Sequence, residues 1–247
     1  MIQQRLATPR VKYSRGYYNK VKGDSQAIRI TEGCPHNCDW CYEPIEFKIF
    51  GVPKIERNKV LIYDMNILCK KEAFEIISSL PNKLNGKHIF YEFVCGLDFR
   101  FMTKEMAELL YSGHFGRFNK KNWYKGIRLA WDRGLEYQYK MKDCIEMLVK
   151  VGFKRSLITL FILNNHKITT LEDNMRKLDL CKVWNVQVAD CRYDNQIKTF
   201  NPIAWTTTEM KTFRKKVRNH NQLVNFGIDP ELNQNKNTTR KQKETKG

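Results

Sequence analysis

Six branched-rich apolar runs recur along the chain: Ala27–Ile30, Val60–Tyr63, His88–Val94, Ile127–Ala130, Leu157–Leu163 and Val183–Val188. Each is short, rich in Val, Ile, Leu or Phe, and bounded by polar turns, so each is expected to be a buried strand. Between them lie segments with helical spacing. Ala73, Phe74, Ile77 and Leu80 form one stripe, Met106, Ala107 and Leu110 a second, and Met141, Cys144, Ile145, Leu148 and Val149 a third. Thr103 precedes the second stripe as an N-cap. Thr170-x-x-Asp173 and Thr206-x-x-Glu209 open two further helices as capping boxes. Strands alternating with helices imply parallel strands joined by right-handed crossovers. A closed eight-fold barrel takes about 250 residues and eight strands. Six strand signals therefore predict an α/β fold, a partial (β/α)6 TIM-like barrel with parallel strands, plus a C-terminal extension.

The flanks read differently. Residues 1–23 form a basic, tyrosine-rich N-terminal arm, residues 24–199 the barrel core, 200–232 the C-terminal extension and 233–247 a disordered basic tail. The tail has no apolar residue, so it buries nothing to offset the entropy of ordering. Lys and Arg total 44 against 26 Asp and Glu, a formal charge of +18. That excess suits a polyanionic partner such as RNA or another phosphorylated molecule, or a merely solubilising surface. No apolar leader and no membrane-length run is present, so no membrane association is expected. Eight cysteines without paired disulfide spacing suit a reducing, cytoplasmic setting.

In parallel-strand barrels the chemistry gathers at the C-terminal ends of the strands. Here those ends carry Asp64 and Asn66, Cys95-Gly96-Leu97-Asp98, Trp131-Asp132, Asn164-Asn165, and Asp190, Arg192 and Tyr193. The first run leads straight into Thr31-Glu-Gly-Cys34-Pro-His-Asn-Cys38-Asp-Trp-Cys41-Tyr-Glu43, which holds three cysteines as C-x3-C-x2-C. Clustered thiolates bind soft metals or iron–sulfur clusters. Cys34, Cys38 and Cys41 can hold three irons of a [4Fe-4S] cube and leave the fourth open. With His36 or a distant cysteine as fourth ligand they would instead make a structural zinc site, although no second C-x2-C knuckle exists.

The spacing, with an aromatic residue before the last cysteine (Trp40), resembles the signature of the radical S-adenosylmethionine (SAM) enzymes. The segment Val94-Cys95-Gly96-Leu97-Asp98-Phe99-Arg100-Phe101 resembles the glycine-rich SAM-contacting segment of that family, with Cys95 where a first glycine is expected. Weaker likenesses extend the match over roughly residues 26 to 194, including Arg128-Leu-Ala-Trp-Asp132. The resemblance implies a [4Fe-4S] cluster on Cys34, Cys38 and Cys41 whose fourth iron is chelated by S-adenosyl-L-methionine. Trp40 would sit near the adenine, Cys95 and Gly96 would meet SAM, and Asn66 and Asp98 join them as candidate contacts. Reductive cleavage of SAM to a 5′-deoxyadenosyl radical, hydrogen abstraction from a substrate, and a reductant protein such as flavodoxin or ferredoxin follow from the same resemblance. Cys181 and Cys191 lack any partner motif for an auxiliary cluster. A zinc-stabilised nucleic-acid-binding module without catalysis is the competing expectation.

Overall fold

The computed structural model describes residues 16–41, 43–119, 122–193 and 205–227. Seven main strands are β1 (Tyr18–Lys22), β2 (Ser25–Arg29), β3 (Lys59–Ile62), β4 (Phe90–Phe93), β5 (Ile127–Ala130), β6 (Ile158–Asn164) and β7 (Gln187–Arg192). β2, β3 and β4 pair in parallel, as do β5, β6 and β7. A parallel bridge between Leu97 and Leu129 joins the two sheets, with Leu97 N donating to Arg128 O at 2.8 Å and Ala130 N to Leu97 O at 2.9 Å. The parallel strands thus lie side by side in chain order. Among the described residues no pairing closes β7 onto β2.

β6 (Ile-Thr-Leu-Phe-Ile-Leu-Asn) is buried along its whole length. That explains a continuous apolar run where a half-exposed strand would alternate. Its neighbours supply Ile28, Ile30, Val60, Ile62, Leu129 and Val188 to one core. Five helices cover it: α1 (Ala73–Ser78), α2 (Lys104–Ser112), α3 (Gln138–Val151), α4 (Leu171–Trp184) and α5 (Thr207–Asn225). Ile77, Leu110, Met141, Leu148, Leu178 and Phe213 face inward from them. Cys144 and Cys181 are buried there too, as small apolar side chains. Thr103, Thr170 and Thr206 each accept a backbone N–H at their helix starts, and Thr206 with Glu209 completes a capping box.

Several boundaries differ from the sequence reading; in the third run His88 belongs to a short antiparallel strand and β4 begins at Phe90. The sixth apolar run does not begin a strand at Val183: Val183 and Trp184 finish α4, Asn185 turns the chain at φ +53°, and β7 starts at Gln187. The apolar letters there belong partly to a helix end, which Asn at the left-handed position terminates. The last residues of the expected N-terminal arm form β1, which pairs antiparallel with β2. The expected disordered tail, and the extension beyond residue 227, lie outside the described residues. No helix among the described residues is long and apolar enough to cross a membrane.

Candidate metal centre

The cysteine loop follows β2 and is folded by contacts that lie beneath it. Arg29 Nη2 donates to both carboxylate oxygens of Glu43, at 2.5 and 2.6 Å, in a buried ion pair. Glu43 Oε1 also accepts Gly33 N at 2.7 Å, so one carboxylate ties the start of the loop to its end. Asp64, at the end of β3, accepts Ile30 N at 2.9 Å and the backbone N and hydroxyl of Thr31 at 2.5 and 2.6 Å. Burial raises the pKa of Asp64 despite those donors. Gly33 sits at φ +96°, and a Cβ there would lie 2.0 Å from Glu46 O, so only glycine fits. The loop closes with Cys34 N on Pro44 O at 2.8 Å and Cys41 N on Cys38 O at 2.9 Å.

Each loop sulfur receives an N–H from a different place. Asn66 Nδ2, in the loop after β3, donates to Cys34 Sγ at 3.4 Å. Arg133 Nη2, beyond β5, donates to Cys38 Sγ at 3.6 Å. Glu43 N donates to Cys41 Sγ at 3.4 Å. Such donors stabilise thiolate charge and tune bound metal. Arg133 is held in turn by the buried Lys177 of α4, whose ammonium bonds the carbonyls of Trp131 and Arg133. Burial lowers Lys177 to about 8. It raises Asp132 to about 6 against the pull of Lys177, and the Trp40 side chain hydrogen-bonds that carboxylate. Trp40 also meets the His166 ring edge-on at 5.8 Å, and His166 packs on Tyr193 at 4.7 Å.

Cys69, which lies outside the C-x3-C-x2-C motif, sits beside the loop. Its thiol is in hydrogen-bonding contact with Cys34, and that bond is the first cause lowering Cys34 to about 5. The same bond, with burial, raises Cys69. Burial pushes Cys41 up to about 12 and also raises Cys38, where Arg133 works the other way. Metal binding here therefore releases protons.

The remaining candidates divide. Gly96 is buried at the junction of the two sheets with φ +79°, where a Cβ would meet the Phe161 ring at 3.1 Å. Cys95 beside it feels Asp64, Arg29, Glu43 and Cys41, and burial pushes its thiol up to about 12. Asp98 is consumed within the protein: Arg100 Nε and Nη2 donate to it at 2.8 and 2.6 Å, Asn66 Nδ2 at 3.0 Å, and His36 Nε2 stands 3.3 Å away. Burial opposes its charge, but Arg100 prevails and its pKa is lowered. His36 thus faces Asp98, with its ring against Phe101 at 5.6 Å.

No three His, Cys, Asp or Glu side chains among the described residues converge tightly enough to grip a single metal ion. The donor set is nevertheless soft and thiolate-rich, as a cluster needs. Asn66 Oδ1, Arg133 Nε and the Tyr193 hydroxyl are buried with no hydrogen-bond partner among the described residues. Groups of this kind are satisfied by a ligand or water. They come from the ends of three different strands; Asn66 and Arg133 each contact a loop sulfur, and Tyr193 packs on His166. No family model matches this chain, and no curated protein matches it.

Proposed function

We propose that the chain is a radical SAM enzyme on an open (β/α)6 barrel, with Cys34, Cys38 and Cys41 holding a [4Fe-4S] cluster at the mouth. The observation that carries this reading is the loop itself: three thiols at the end of β2, each given an N–H donor, amid buried polar atoms left unpartnered. When bound, the cluster supplies one low-potential electron that cleaves SAM reductively and gives a hydrogen-abstracting 5′-deoxyadenosyl radical.

The chain's own residues bind and orient. Asn66 turns its amide N–H groups to Cys34 and Asp98, leaving Oδ1 as an acceptor for an amino group such as that of SAM. Gly96 keeps the backbone bare at the junction of the sheets, where a ligand can approach closely. Trp40, steadied by Asp132 and His166, offers an aromatic face for a purine ring. Arg133 adds positive charge beside Cys38. The charge of +18 supports RNA or another phosphorylated molecule as substrate, and phosphate contacts would give binding a steep salt dependence.

The test is formation of 5′-deoxyadenosine by anaerobic, iron- and sulfide-reconstituted protein with SAM and a strong reductant. The product is expected from the intact chain and not from a Cys34, Cys38, Cys41 triple alanine variant. One observation favours a second reading: Cys69 beside Cys34 offers the fourth thiol that a structural zinc site needs. Zinc uptake without iron after reconstitution would select that reading.

A further inference from the structure

Cys69 is drawn to the centre by more than its contact with Cys34. Its S–H donates to Asn66 O at 3.1 Å, and Asn66 Nδ2 donates to Cys34 Sγ at 3.4 Å, so one residue holds both sulfurs. Lys70 Nζ donates to Cys69 Sγ at 3.4 Å and to the carbonyl of Gly33, the residue before Cys34. Lys70 is only 5% exposed, and its ammonium lies over the Phe47 ring at 4.2 Å. Among the described residues no carboxylate lies within ion-pair distance of it. A buried ammonium needs an anionic neighbour. Cys69 bound to a metal as a thiolate would be that neighbour.

The three loop cysteines leave one position of a four-position centre without a protein donor. We infer that Cys69 is a fourth protein ligand, which fills that position until a ligand carrying its own donor atoms displaces it. On displacement the sulfur leaves with its electron pair and stays as a thiolate beside Lys70. The inference deepens the reading of this loop as a metal centre, because it makes ligand entry at the open position an exchange. The short 3-10 turn before α1, which ends at Cys69 and is capped by Lys70, thereby becomes part of the site.

Thiol labelling tests the ligand. Iron-reconstituted, full-length chain is pulsed anaerobically with an alkylating reagent, and the labelled cysteines are mapped by mass spectrometry. Cys69, which is half-buried, is expected to label several-fold more slowly without SAM than with it, and at one fast rate in both cases once Cys34, Cys38 and Cys41 are alanine. Labelling of Cys69 in the iron-loaded parent at the same rate with and without SAM would overturn the assignment. Electron paramagnetic resonance of the reduced, iron-reconstituted protein then tests the exchange. Parent and Cys69→Ser spectra should differ without SAM and coincide with it, and identical spectra without SAM contradict it. Failure of the chain to take up iron would sink the proposed function, whereas iron uptake with Cys69 labelled equally with and without SAM would sink only the role of Cys69.

Discussion

Strand β6 is enclosed along its whole length and the cysteine loop only at its two ends, and different physics holds them. β6 packs Ile158, Leu160, Ile162 and Leu163 into the common core, and non-directional burial stabilises it. The loop has almost no apolar anchor of its own. It is fixed by Arg29, Glu43, Asp64 and Lys70, which reach it through charge-assisted hydrogen bonds. A strand of this kind tolerates changes that conserve volume. A loop of this kind fails when one partner is removed, because a charge is then left buried and unpaired. The stable part carries the fold, and the polar part sets where the sulfurs point.

Removing one side of the buried pair should break that comparison hardest. Arg29→Ala leaves Glu43 uncompensated and should cost about 3–5 kcal/mol in urea unfolding, with loss of iron uptake. Replacing both partners, Arg29→Met with Glu43→Leu, should recover much of the stability without restoring iron uptake, which separates holding the loop from shaping it. Leu160→Ala should cost about 2–5 kcal/mol. Below the unfolding midpoint it should still take up iron at the parent's stoichiometry, because β6 shapes no sulfur. Gly33→Ala should cost roughly 1–3 kcal/mol for the strained backbone. Its larger effect should be on the site, where iron per chain falls well below the parent's because the new Cβ collides with Glu46 O.

The smallest effect concerns pH. The folded pKa of Asp98 is depressed below its ordinary 3.8, so the stability it contributes is fully present above that value. It is lost as pH falls through the folded pKa. The stability difference between parent and Asp98→Asn should therefore be constant at neutral pH and shrink in acid, as read from urea midpoints across that range. A difference that grows in acid would reverse the sign assigned here.

The strands were legible because burial on both faces writes continuous apolar runs, and the capping threonines announce their helices. The start of β7 was not, because Val183 and Trp184 are apolar letters that a helix end also uses. The three loop cysteines were legible from spacing alone. Cys69 was not: it reaches Cys34 across two strands, and no local pattern encodes that. A signal did exist, since Cys69 follows Asp64 and Asn66 in the same loop beyond β3. Arg29 and Glu43 looked like ordinary strand and loop residues, and only the fold brings the guanidinium under the carboxylate. Asp98 was read as a candidate SAM contact, and nothing in its spacing showed that Arg100, Asn66 and His36 would all meet its carboxylate.

The central claim is that this loop holds an iron–sulfur cluster with a position open to SAM. Mössbauer spectroscopy of protein reconstituted with isotopically enriched iron and sulfide tests it most directly, recorded with and without SAM. The account predicts a [4Fe-4S] signal that the Cys34, Cys38, Cys41 triple alanine variant lacks, with one iron in the cube becoming distinct from the others when SAM is added. Iron that stays equivalent when SAM is added, or a chain that takes zinc and refuses iron, would contradict it.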